Sequence, residues 1–146
     1  MPTIEEKTET LNSLLRGELS AVETYAEALA KVGSEPGAFD LRRIEAEHRE
    51  AVNVLRQHIL YRGGKPSISS GAWGAFAGAV TGAAKLLGNT VALKALKEGE
   101  EHGIVSYEGA LKDENLDPEC RTLVASTLLP QTRSHVPILE RLIEAQ

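Results

Sequence analysis

The sequence contains little cysteine, few aromatic residues and no long run of basic or apolar residues. A single cysteine, Cys120, in 146 residues rules out an internal disulfide framework. The formal net charge is −5 at pH 7 and no basic run of the nucleic-acid-binding type is present, so we expect no nucleic acid partner. No apolar run reaches the roughly 20 residues that span a bilayer, and the acidic N-terminus does not resemble a signal peptide. These absences predict a cytoplasmic protein with no transmembrane segment.

The residues that are abundant favour helices. The acidic residues comprise 18 Glu and three Asp, Leu and Ala are frequent, and six residues are aromatic. Glu, Leu and Ala are strong helix formers, whereas β-sheet domains depend on aromatic and β-branched residues. A chain of this length with 42 % hydrophobic residues can bury one sizeable core. We therefore expect a single all-α domain spanning residues 1–146.

Capping residues and turns divide the chain into five predicted helices. Thr3 and Glu6 form a capping-box pattern before the first helix, and Asp117 followed by Pro118 is typical of the start of the last. The predicted helices cover approximately residues 4–32, 36–62, 70–87, 90–112 and 118–144. Four of them carry an apolar stripe at helical spacing, and short turns favour antiparallel pairs. The pattern predicts a four-helix bundle of two hairpins, with the short helix 70–87 between them.

Five polar side chains interrupt these apolar stripes: Glu18, Glu45, His48, Glu100 and His135. A bare carboxylate in an apolar core costs several kcal/mol, so such groups require partners, protonation or a metal ion. At 1.5 Å rise per residue, the three in the first hairpin should lie within roughly one helical turn of each other in height. We therefore predict that all five side chains share one site.

The two predicted hairpins also repeat each other in sequence. Glu18 and Tyr25 recur at the same spacing as Glu100 and Tyr107. A second repeat sits on the partner helices, where Leu41, His48 and Leu55 match Leu128, His135 and Leu142. An approximate two-fold relation between the hairpins would bring the two Glu and the two His toward one centre.

This arrangement resembles the ferritin-like superfamily, near the rubrerythrin and bacterioferritin type. Those proteins supply one Glu from each of two helices and a Glu-x-x-His from each of the other two, around two metal ions. Here Glu18, the Glu-Ala-Glu-His of residues 45–48, Glu100 and His135 match that pattern. The resemblance is strongest to a branch with a short helix inserted between the hairpins and a motif like the Gly-Glu-Glu of residues 99–101.

The resemblance implies a carboxylate-histidine centre holding iron or manganese, one or two ions, with zinc as a further candidate. It also implies a reaction of the metal with dioxygen or peroxide, as in a di-metal oxidoreductase. The ligands would be Glu18, Glu45, His48, Glu100 and His135.

One position departs from the family pattern. Three residues before His135 the family places a bridging Glu, and this chain has Thr132. Five of six expected ligands remain, so the site would hold two ions weakly, one ion or none. Pro130 and Pro137 flank His135, and each removes a helix hydrogen bond and favours a kink.

Several residues near the predicted site allow two interpretations. Tyr25 and Tyr107, each two turns past a candidate Glu, would either take part in the site, by bonding the ligand carboxylates or acting as a redox relay, or serve as core aromatics. Thr132 would be a further neighbour of the metal. Cys120, in the first turn of the last helix, would either have a pKa lowered by the helix dipole or be incidental.

A second function fits the Thr132 departure. In it, the bundle has lost its metal chemistry and acts as a structural or interaction module. The Gly/Ala-rich residues 71–87 carry Gly74, Gly78 and Gly82 at four-residue spacing, a pattern that allows close helix contact and would form a homo-oligomer interface.

Overall fold

The computed structural model describes residues 2–32, 35–70 and 90–146. Its helices are α1 (Ile4–Val32), α2 (Ala38–Tyr61), α3 (Thr90–Ala110), α4 (Pro118–Leu123), a π-helical turn (Val124–Leu128) and α5 (Leu129–Glu144). The last three follow without a break, so residues 118–144 form one continuous helical segment. The described helices begin and end within about two residues of the predicted limits, which is the usual uncertainty of helix boundaries. The predicted helix 70–87 lies, apart from Ser70, outside the described residues.

Local hydrogen bonds explain where the helices begin. The Glu6 backbone N–H donates to Thr3 Oγ1 (3.1 Å) and the Thr3 N–H donates to the Glu6 carboxylate (3.3 Å), which is the predicted capping box. Asp117 accepts from the Cys120 backbone N–H (3.0 Å) at the start of α4, directly before Pro118.

Two glycines with positive φ bound α2. Gly37 (φ 95°) precedes it, so the helix begins two residues later than the predicted position 36. Gly63 (φ 78°) follows the residue that ends it. Both φ values lie in the left-handed region, which glycine adopts without the steric cost that a Cβ imposes.

The helices form an antiparallel four-helix bundle, as predicted. α1 packs most extensively on α2, and α3 on α5, so the two hairpins are the main packing units. The core divides into two apolar clusters, each with residues from all four long helical segments. Along every segment the interrupting Glu or His lies between residues of one cluster and residues of the other. The bundle therefore holds a polar layer between two apolar layers.

The π-helical turn lies just before Pro130. The Leu129 backbone N–H donates to Val124 O, five residues earlier, and the next residue, Pro130, has no N–H to donate. The helix therefore passes both Pro130 and Pro137 without ending. The helix accommodates Pro130 with a widened turn and does not break there.

Among the helices of residues 2–32, 35–70 and 90–146, none is long and apolar enough to cross a membrane.

Candidate metal centre

The polar layer between the two apolar clusters consists of Glu18, His48, Glu100 and His135. Their exposed fractions are 5 %, 4 %, 3 % and 1 %. Each comes from a different helix, α1, α2, α3 and α5, at the level that the internal repeat predicts. Four of the five predicted site residues are thus brought together, and each needs a polar partner because it is cut off from water.

His48 lies between the two buried carboxylates. Its Nδ1 is 2.5 Å from Glu18 Oε2, and its Nε2 is 2.7 Å from Glu100 Oε1. Burial alone would lower the pKa of His48, but the charges of Glu18 and Glu100 outweigh it and raise the pKa well above its usual value. With both nitrogens facing carboxylates, the ring is doubly protonated in this arrangement.

His135 contacts the same carboxylate from the second hairpin. Its Nδ1 is 3.2 Å from Glu100 Oε2, and its Nε2 is 2.7 Å from Glu47 Oε1. The two imidazole rings meet edge to face with centroids 4.9 Å apart. Burial would raise the pKa of Glu100, yet the His48 charge and the His135 hydrogen bond lower it to about 2. Glu100 is therefore an ionised carboxylate held between two histidines.

The two tyrosines of the internal repeat bond the two carboxylates crosswise. Tyr25 on α1 donates to Glu100 Oε1 (2.8 Å), and Tyr107 on α3 donates to Glu18 Oε1 (2.5 Å). Burial, followed by the nearby carboxylates, raises the pKa of both phenols well above the usual value, so both remain donors. The two interpretations of these residues coincide, since each tyrosine is a core aromatic whose hydroxyl fixes a candidate ligand.

Glu45 is not brought into this cluster. Its carboxylate accepts a hydrogen bond from Arg49, one turn later on α2 and largely exposed, and the Glu45 side chain is 16 % exposed. The i,i+3 spacing predicts that Glu45 and His48 share one helix face, but the Glu45 carboxylate is turned toward Arg49 and makes no contact with the other four side chains.

Glu47, which the apolar stripes do not predict as a site residue, contacts the polar layer. It lies on the side of α2 that meets α5, where its carboxylate reaches His135. A sequence signal existed, because Ile44 and Ala51, three residues before and four after Glu47, are buried hydrophobic positions on the same helix row.

Thr132 lies at the position where the family pattern has Glu. It is buried (3 % exposed), and its hydroxyl donates to Leu128 O (2.8 Å) on its own helix. Its methyl group lies against Gly103, where an added Cβ would be 3.4 Å from it. Thr132 therefore adds neither charge nor a free donor to the polar layer.

A cleft between α1 and α3 leads to the polar layer. Its empty volume is about 550 Å³, counting space open to solvent. Glu18, Glu100 and Thr132 lie along it with both tyrosines, and many of its other described lining residues are small: Ser13, Gly17, Ser20, Ala21, Ala95, Gly99, Gly103 and Ser106. Among the described residues, the small side chains of α1 and α3 therefore leave space beside the two carboxylates.

Comparison with known proteins shows the family. A family described as "Domain of unknown function (DUF2383)" matches residues 6–113. The chain belongs to this family. A crystal structure of ferritin-like, diiron-carboxylate proteins from Bacillus anthracis strain Ames matches with a TM-score of 0.78 and 21 % identity, covering 98 % of this chain and 99 % of that one. The predicted ferritin-like fold is thereby confirmed. No curated protein matches the chain.

The polar layer fits a metal ion of the kind that the fold implies. His48, Glu100 and His135 each offer a ligand atom, and these atoms all lie within 4.8 Å of one another. Two donors bound to one ion at about 2.1 Å and at right angles are about 3 Å apart. The observed nitrogen-to-oxygen distances of 2.7 and 3.2 Å, which run to different Glu100 oxygens and are also hydrogen-bond lengths, lie on either side of that value. Imidazole and carboxylate donors together suit iron, manganese and zinc.

Cys120 lies apart from this centre. It is fully buried, and its Sγ is 3.7 Å from His58 Nδ1. Burial raises the pKa of the thiol to about 12 although Arg62 opposes the shift. The interpretation in which the helix dipole lowers this pKa is wrong, and the thiol remains protonated.

Proposed function

We propose that this protein binds iron or manganese, with zinc as a competitor, through the buried side chains Glu18, His48, Glu100 and His135. The supporting observation is the convergence of His48, Glu100 and His135, whose ligand atoms lie within 4.8 Å of one another. Burying several titratable side chains away from water costs free energy, and metal binding would offset that cost. Bound iron would supply one-electron chemistry toward dioxygen or peroxide.

The surrounding residues would prepare the site for that chemistry. Tyr25 and Tyr107 each hold one carboxylate in place, so its orientation is set before any ion arrives. The small residues of the cleft would admit a molecule as small as dioxygen or peroxide to the side on which Thr132 lies. In this proposal the oxidant would approach between α1 and α3. The side chains that bind the metal would come mainly from α2, α3 and α5.

The proposal also includes a single domain spanning residues 1–146 and a cytoplasmic location. Both apolar clusters draw residues from both hairpins, so neither hairpin has a core of its own. A cytoplasmic location fits a single, unpaired thiol, because that compartment keeps thiols reduced.

Elemental analysis tests the proposal directly. Protein purified from cells supplied with iron and manganese should contain stoichiometric metal, and Glu100→Gln should contain almost none. Glu101→Gln, next along α3 but exposed, is the matched control and should keep the wild-type content. Less than about one-tenth equivalent of iron, manganese and zinc together in the wild-type protein would overturn the proposal.

A metal-free structural bundle is the second candidate, and one observation favours it. Every buried side-chain nitrogen and oxygen of the described residues has a hydrogen-bond partner, and the polar layer is largely bonded to itself. If this function is correct, the unfolding temperature will not change with added Fe(II), because only a ligand that binds the folded state raises it. The proposed homo-oligomer contact through residues 71–87 lies outside the described part of the chain.

A further inference from the structure

We propose that the centre holds one metal ion per chain and not two, with His48 Nε2, His135 Nδ1 and Glu100 as its ligands. Glu18 and Glu47 are then the outer carboxylates that orient the two imidazoles. This inference rests on the proposed metal binding. It narrows the ligand set of that proposal by moving Glu18 to the outer carboxylates. It also differs from the sequence-based expectation, in which Glu18 and Glu45 are ligands and two ions are allowed.

The carboxylates that would bridge two ions are missing from the layer. The second hairpin has Thr132 at the bridging position, and its hydroxyl is committed to Leu128 O. In the first hairpin the Glu45 side chain, 16 % exposed, is paired with Arg49 and does not contact the layer. Two neighbouring cations repel each other strongly unless shared anionic oxygens lie between them.

The buried charge also matches a single ion. Glu18 and Glu100 are the two carboxylates of the polar layer, and two carboxylate charges offset those of one divalent cation. A second divalent cation would leave two positive charges in a layer whose four residues are at most 5 % exposed, and Glu47 would offset only one of them. An uncompensated charge at such a depth costs several kcal/mol.

The second nitrogen of each histidine identifies the outer carboxylates. His48 Nδ1 lies 2.5 Å from Glu18, and His135 Nε2 lies 2.7 Å from Glu47, while the other nitrogen of each ring faces Glu100. A metal-bound histidine typically donates its remaining N–H to a carboxylate, which fixes the ring and increases its basicity. With one ion beside Glu100, each histidine would bind the ion through one nitrogen and donate from the other to a carboxylate. This arrangement explains why Glu47 contacts His135.

Metal titration of the full-length apoprotein distinguishes the outcomes. We expect Mn(II) and anaerobic Fe(II) to saturate at one equivalent, and the Mn(II) form to show the electron paramagnetic resonance hyperfine pattern of an isolated ion. Two equivalents with the narrower hyperfine spacing of an exchange-coupled pair would overturn this inference and leave the proposed function intact. No binding would overturn both.

Thr132→Glu tests the reason for the single ion. A carboxylate at this position has room to extend into the adjoining cleft, so we expect the capacity to rise toward two ions. Thr132→Val has nearly the same volume without an anionic oxygen and should still bind one. A folded Thr132→Glu protein that stays at one equivalent would overturn the role assigned to Thr132; if this variant fails to fold, the wild-type titration still decides the number.

Conservative changes of the three carboxylates test which one is a ligand. Glu100→Gln should abolish binding, whereas Glu18→Gln and Glu47→Gln should keep one site with an affinity roughly 10–100-fold lower, as outer carboxylates do. Glu50→Gln, exposed on α2, is the control. Loss of all binding in Glu18→Gln would overturn the ligand assignment, and unchanged affinity in Glu47→Gln would overturn the positioning role of that residue.

Discussion

The two helical hairpins share a sequence pattern but differ three residues before each histidine, where the first hairpin has Glu45 and the second has Thr132. Glu18 and Tyr25 on α1 correspond to Glu100 and Tyr107 on α3, and each tyrosine bonds the glutamate of the other hairpin. Both histidines place Nδ1 against the glutamate of their own hairpin. The hairpins are therefore alike in the glutamate, tyrosine and histidine of the polar layer, and unlike at the position that would supply a bridging carboxylate in the proposed metal centre.

The helices that carry the two histidines also differ. α2 is a regular α-helix, whereas His135 follows a π-helical turn and lies between two prolines. The prolines do not misplace His135, since its Nδ1 still reaches Glu100. Pro130 cannot donate a backbone hydrogen bond, and the π-helical turn before His135 accommodates this.

Replacing each histidine in turn should give the largest losses in the free energy of unfolding, and these losses should differ between the two hairpins. His48→Leu leaves two buried carboxylates facing each other without the cation between them, so we expect a loss of about 3–5 kcal/mol in the free energy of unfolding of the metal-free protein. His135→Leu should cost less, because Glu100 keeps His48 as a partner and Glu47 is partly exposed. Urea unfolding of both variants measures the difference, and equal losses would contradict this asymmetry.

Removing the tyrosine hydroxyls compares the two carboxylates of the polar layer. Tyr25→Phe and Tyr107→Phe each leave a buried carboxylate oxygen short of one donor, which we expect to cost about 1–3 kcal/mol. Tyr107→Phe should cost more, because it removes the donor to Glu18 Oε1, whereas in Tyr25→Phe the Glu100 Oε1 atom keeps His48 Nε2 as a partner. Tyr61→Phe, at an exposed position, is the control and should change little. Equal losses in the urea unfolding of the two variants would contradict this difference between the two carboxylates.

The sequence predicted the fold because helix limits and apolar stripes depend on local spacing. Thr3 with Glu6, and Asp117 with Pro118, are local patterns that cap the first turn of a helix. The repeat of Glu18 and Tyr25 as Glu100 and Tyr107 predicts the level of the polar layer. The carboxylate choice within α2 was not predictable in this way. Glu45 and Glu47 are two residues apart, and the contact of Glu47 with His135 depends on how α2 packs against α5, which local spacing does not give.

The connection between the hairpins gives the smallest expected effect. Arg62, just after α2, pairs with Asp117 at the start of α4, and the Arg62 hydrogen bond lowers the pKa of Asp117 to about 2. A lowered pKa stabilises the folded state above the ordinary value near 3.8, and this contribution disappears as pH falls from 3.8 through 2. Asp117→Asn keeps a good N-cap but removes the charge, so it should cost only about 0.2–1 kcal/mol at neutral pH. Unfolding curves between pH 5 and about 2 should be less pH-dependent in this variant than in the wild-type protein, and parallel curves would show that the pair contributes nothing to joining the hairpins.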